Sequence, residues 1–217
     1  MIFFVSLGSN CQVKLNIRWI VDLNWANDTR KKKLKQSCES FPLDYLVAPD
    51  LELVLSSIEN KFENLIDKKY FITKENEGEK GKYYWHNWNH PWVFNTKYKL
   101  SFIHHFGRNL TKEDGDFDKK NLFKDTDTLN KKFNDRGEKF FDYINKAKKV
   151  YFMRLLPEKE MINPYFTFDR NKYKYNTYKK ELDLLQTKLK ILFPNINYEI
   201  KVFTHRTQIK PYILSKI

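Results

Sequence analysis

Apolar positions along the chain fall into blocks of two periods. Ile2 to Leu7 is a nearly continuous apolar run followed by Gly8, Ser9 and Asn10, which predicts a buried strand ending in a tight turn. Val13, Ile17, Ile20 and Val21 then recur at i, i+4, i+7 and i+8, the stripe of an amphipathic helix capped by Ser9 or Asn10. Asp50 caps a second helix, in which Leu51, Val54, Leu55, Ile58, Phe62 and Leu65 keep the helical period. From Asp127, with Thr128 as a cap, Leu129, Phe133, Phe140, Phe141 and Ile144 mark a long helix closed by lysines that suit a helix C-terminus. Val150 to Leu155 is again a continuous apolar strand, interrupted by Arg154. Asn176 caps a helix with Tyr178, Leu182, Leu185, Leu189 and Leu192, stopped at Pro194, and Tyr198 to Thr204 follows as a strand. A strand, a helix and a second strand, both strands apolar, is the pattern of a parallel crossover. The fold class expected is α/β: a mainly parallel sheet with helices on both faces.

Residues 68–125 differ in character. They are rich in aromatics, with Gly81 as a turn and Leu100 to His104 as the best strand, and residues 107–125 are charged and loop-like. They read as an aromatic-rich insertion into a single domain spanning residues 1–217.

Composition narrows the class. Forty Lys and Arg against 27 Asp and Glu leave a charge of +13, yet 41% hydrophobic and 17% aromatic residues exclude a disordered basic tail. The basic surplus raises nucleic acid as a partner, but the lysines are spread along the chain beside many Asn, Tyr, Phe and Ile, a mixture that AT-rich coding also produces. No apolar run approaches the roughly 18 residues of a membrane span, and the N-terminus lacks a signal peptide's charged region. A cytoplasmic location is expected, the host cytoplasm if the source is viral. Two cysteines, Cys11 and Cys38, cannot build a disulfide framework.

Ligands of open parallel sheets bind beyond the carboxyl ends of the strands, and those positions are polar here. The first strand ends in Gly8, Ser9, Asn10 and Cys11, another in His104 and His105, and the last in His205 and Arg206; Arg154 belongs to the Val150 strand. Cys11 is the sharpest candidate, because a thiol at a helix start feels the dipole and unpaired amides, which favour the thiolate. The bland alternative is a buried, inert cysteine. Cys38 has no such setting. His104 and His105 point to opposite faces of a strand, so only one can enter a given site. His86 and His90 have i, i+4 spacing, but Trp88, Pro91 and Trp92 disfavour a helix, and neither a metal nor a cofactor is expected. Tyr83, Tyr84, Trp85, Trp88 and Trp92 can stack bases or sugars or form a lid or core. A binding or transfer domain for an anionic ligand (nucleotide, sugar phosphate or nucleic acid) therefore stands beside a thiol-dependent enzyme acting on a protein or an anionic substrate.

Four short motifs carry a resemblance: Ser6-Leu7-Gly8-Ser9-Asn10-Cys11, Leu43-Asp44-Tyr45, Ile103-His104-His105-Phe106 and Tyr151-Phe152-Met153-Arg154. In order and spacing, over roughly residues 2–156, they resemble the family labelled putative papain-like cysteine peptidases of bacteria and large DNA viruses. The resemblance implies a cysteine-dependent hydrolase with Cys11 as nucleophile, His104 as base and Asp44 as the orienting carboxylate. It implies Asn10, His105 and Arg154 as oxyanion or substrate-binding residues. Where the family commonly has Phe-Asp-Trp and His-Asp-Phe, this chain has Leu43-Asp44-Tyr45 and His104-His105-Phe106, which keeps the named carboxylate and the first imidazole but loses a second carboxylate. The label also brings an α+β, papain-like arrangement as the alternative to the α/β fold.

Overall fold

The computed structural model describes residues 2–8, 12–22, 40–44, 46, 50–74, 92–102, 126–156 and 178–217. Strands β1 (Ile2–Ser6), β5 (Lys149–Leu155) and β6 (Tyr198–Phe203) form a parallel sheet with β5 in the centre. Phe4 lies opposite Tyr151, and Phe152 opposite Ile200. The common direction of these strands decides for the α/β architecture over the α+β alternative. Three shorter strands, β2 (Phe71–Lys74), β3 (Trp92–Asn95) and β4 (Leu100–Phe102), make a separate antiparallel sheet from the aromatic-rich stretch.

Alternation along the parallel strands sends successive side chains to two different cores. Phe4, Tyr151, Met153, Leu155 and Phe203 meet helix α1 (Gln12–Asp22) through Val13, Ile17 and Ile20, and helix α5 (Ile209–Ser215) through Ile209 and Ile213. On the opposite face Phe3, Val5, Leu7, Val150, Phe152 and Val202 belong to a larger core. That core also takes in Leu51, Val54, Leu55 and Ile58 of helix α2 (Leu51–Glu59), Phe133, Phe140 and Ile144 of helix α3 (Thr126–Lys146), and Leu185 and Leu189 of helix α4 (Tyr178–Leu192). Helices thus cover both faces. The larger core is strongly aromatic: Phe3 meets Phe41 edge-on with centroids 5.0 Å apart, and Phe62 meets Phe140 at 5.2 Å. Phe71, Val93, Leu100 and Phe102 of the antiparallel sheet join it.

Two helices depart from the expected pattern. Asp50 caps α2 by accepting from the Leu53 amide at 3.3 Å, as expected, but the helix ends at Glu59 although Phe62 and Leu65 continue its period. Lys61, Phe62 and Asn64 take positive φ there, so a tight irregular turn carries Phe62, Leu65 and Ile66 into the core. Asn95 Nδ2 donates to the Asn64 and Leu65 carbonyls, and the Tyr98 hydroxyl to that of Glu63, which satisfies the turn's backbone. Helix α4 buries Glu181, Leu185 and Leu189, while Tyr178 is exposed. Leu182 and Leu192 pack against the larger core, so the leucine stripe is the buried face, as expected, and Tyr178 alone of the stripe lies off it. Helix α5, behind a short 3-10 turn at Arg206–Gln208, closes the chain where no helix was expected. No helix among the described residues is long and apolar enough to cross a membrane.

Candidate active site

Of the expected site residues, Asn10 and Cys11 follow β1 and Arg154 lies near the end of β5, both strands of the parallel sheet, whereas His104 and His105 follow β4 of the antiparallel sheet in sequence. β1 runs on through Leu7, whose amide donates to the Met153 carbonyl at 2.9 Å. Gly8 follows with φ at 74°, a left-handed conformation that a Cβ would disfavour, and the chain leaves the sheet there. Gln12 opens α1. Asn10 and Cys11 fall in between and lie outside the described residues, as do His104, His105, His86 and His90 beyond the end of β4 or before β3.

Asp44 and Arg154 are described, and both are buried. Arg154, the penultimate residue of β5, is 0% exposed on the face of the larger core. Its Nε donates to Glu181 Oε2 at 3.0 Å and its Nη2 to Oε1 at 3.3 Å, a two-pronged carboxylate contact. Nη1 donates to the Leu7 carbonyl at 2.9 Å. The guanidinium therefore joins the central strand, the first turn of α4 and the end of β1.

Asp44 lies in a tight turn: its amide donates to the Phe41 carbonyl at 3.2 Å, and its Oδ2 accepts from the Phe41 amide at 2.7 Å. The same Oδ2 is 3.0 Å from Lys14 Nζ, and both side chains are almost fully buried. Lys14 also stands over the Phe41 ring, 5.3 Å from its centroid. Burial pushes the Asp44 carboxyl above the usual carboxylate range, and Lys14 and the Phe41 amide pull it only part of the way back. Lys14 sits in the first turn of α1, three residues after Cys11 in sequence.

Lys14 and Glu181 are the partners that motif reading passed over. Glu181 has a retrospective signal: it precedes Leu185 and Leu189 at i, i+4, i+8, so it belongs to their buried stripe, and a carboxylate in a helix's first turn suits the dipole. Lys14 has less, because a lysine beside an apolar stripe reads as a solvated flank. His205, at the end of β6, is exposed and serves as a cap, its Nδ1 2.7 Å from Thr207 Oγ1 and its amide donating to Gln208 Oε1. Ser6, buried on the α1 side of β1, has an Oγ that finds no hydrogen-bond partner among the described residues.

Buried charge thus lies on both sides of residues 9–11 in sequence: Leu7 is held through Arg154 before them, and Lys14 pairs with Asp44 after them. The chain matches no curated protein and no solved structure at a significant level. Residues 3–164, well over half of the 217, match the model of the family described as Putative papain-like cysteine peptidase (DUF1796), and the chain belongs to that family.

Proposed function

We propose that the protein is a cysteine-dependent hydrolase of amide or related acyl bonds, with Cys11 as nucleophile. His104 takes the thiol proton, and Asp44 orients that imidazole through the carboxylate oxygen opposite the one that Lys14 and Phe41 occupy. Amides at Asn10 and Cys11 stabilise the oxyanion of the tetrahedral intermediate. In the forward step the sulfur attacks the acyl carbon, the imidazolium returns its proton to the leaving amine, and water then releases the acyl group from sulfur. His105 stands next to the base as a substrate-side residue.

The observation that carries this reading is the buried pair between Asp44 and Lys14, the latter in the first turn of the helix that Cys11 precedes in sequence. A cation and a helix N-terminus both favour a thiolate. A carboxylate held buried against its solvation preference is the kind of group that functional sites retain. The rival, a domain for anionic ligands, draws less support: the Arg154 fork that would grip a phosphate already faces Glu181.

The test is release of amines from a mixed peptide pool. Cys11→Ser and His104→Ala each reduce the rate by at least about 10²-fold, while His105→Ala retains most of it. Undiminished turnover by Cys11→Ser ends the nucleophile reading; loss in His105→Ala with none in His104→Ala moves the base to the neighbouring imidazole.

A further inference from the structure

Glu181 lies beyond residues 3–164, the segment that matches the family, yet it is 1% exposed and bound to a residue inside that segment. We infer that Glu181 is a positioning residue for the candidate site, acting through Arg154 on the Leu7–Gly8 peptide; the link to catalysis rests on the proposed role of Cys11.

Contacts on Nε and Nη2 fix the plane of the Arg154 guanidinium, and a fixed plane aims Nη1 at the Leu7 carbonyl. Leu7 is then held on both sides, by its amide on Met153 and by its carbonyl on Arg154, immediately before the positive-φ turn at Gly8. A purely stabilising role would not need this chemistry, since a well-packed apolar pair of similar volume often serves as well or better. An apolar pair could not donate to a backbone carbonyl at the strand end. The α4–β6 crossover thus supplies, from outside the family segment, the counter-charge that lets a buried arginine hold the turn leading to Cys11.

The experiment compares Glu181→Gln and Glu181→Asp with Leu189→Ala, a core change on the same helix, all in a Cys38→Ser background that leaves Cys11 as the reporting thiol. Glutamine keeps the size and an acceptor without the charge; aspartate keeps the charge with a shorter reach. Two readouts are taken: amide hydrogen exchange over residues 7–12, and the pH dependence of iodoacetamide alkylation at Cys11. Both Glu181 variants should raise exchange in residues 7–12 by at least about tenfold more than Leu189→Ala does, and Glu181→Gln should move the alkylation inflection toward that of a free thiol. Exchange in that segment no greater than in Leu189→Ala would overturn the inference. A wild-type Cys11 that titrates as a free thiol would remove the catalytic reading alone, because the exchange comparison still decides whether Glu181 holds the turn.

Discussion

The two buried ion pairs that flank the candidate turn are built differently. Arg154 and Glu181 meet through a planar two-pronged contact, and the remaining arm of the arginine reaches a backbone carbonyl, so several donors and acceptors are matched as the charges leave water. Lys14 and Asp44 meet at one oxygen, Oδ2, which also takes the Phe41 amide. An ammonium is a point charge without the planar fork of a guanidinium, and burial of Asp44 outweighs what Lys14 and the Phe41 amide return to it. The raised pKa of Asp44 is the consequence. One pair therefore acts as a frame, and the other holds a carboxylate in a state the fold does not favour.

This contrast predicts unequal responses to substitution. Glu181→Ala strands a buried guanidinium and should cost about 3–5 kcal/mol, whereas the double change Arg154→Met with Glu181→Leu should recover most of that loss. Chemical denaturation of the two variants checks it, and a double variant as unstable as the single would mean the charges themselves hold the fold. Gly8→Ala, between the two pairs, should cost about 1–2 kcal/mol because alanine resists positive φ. A smaller loss would show that the turn relaxes freely and is not held by Arg154.

Asp44→Asn leaves the buried Lys14 ammonium without its counter-charge but relieves a poorly solvated carboxylate, and should cost less than Glu181→Ala, about 1–3 kcal/mol near neutral pH. The sign of its pH dependence follows from the raised folded-state pKa. The stability linked to a protonated Asp44 is fully present below the unfolded value of 3.8 and is lost as pH rises through the higher folded-state pKa. Wild type should therefore lose stability relative to Asp44→Asn across that rise. Thermal melts of both proteins over an acid-to-neutral series read this directly. A wild type that gains on Asp44→Asn with rising pH would make Lys14–Asp44 a second frame and erase the contrast.

Much of this framework was legible in the chain because burial imposes period. Strand β1 announces itself as an apolar run and β5 as one interrupted by Arg154, while β6 shows Glu199 and Lys201 among its apolar residues; α1, α2 and α3 show stripes of Val, Ile, Leu and Phe. The end of α2 was not legible, since Phe62 and Leu65 keep the period while positive φ at neighbouring residues breaks the helix. Helix α5 gave only Ile209, Tyr212 and Ile213 over barely two turns, with Pro211 among them. At the site, motif order picked out Asp44 and Arg154, but their partners stayed hidden: a charge on a buried stripe looks like a break in the pattern until its counter-charge is known. Lys14 and Glu181 are distant in sequence from the residues they hold, and pairing of that kind is a property of the folded chain.

The proposed activation of the Cys11 thiol is measured most directly by the alkylation rate of Cys11 against pH in the Cys38→Ser protein. An activated thiol gives an inflection well below the value of about 8.5 for an ordinary cysteine, with fast reaction at neutral pH that weakens on Lys14→Met. An inflection at or above about 8.5, unmoved by Lys14→Met, would contradict it.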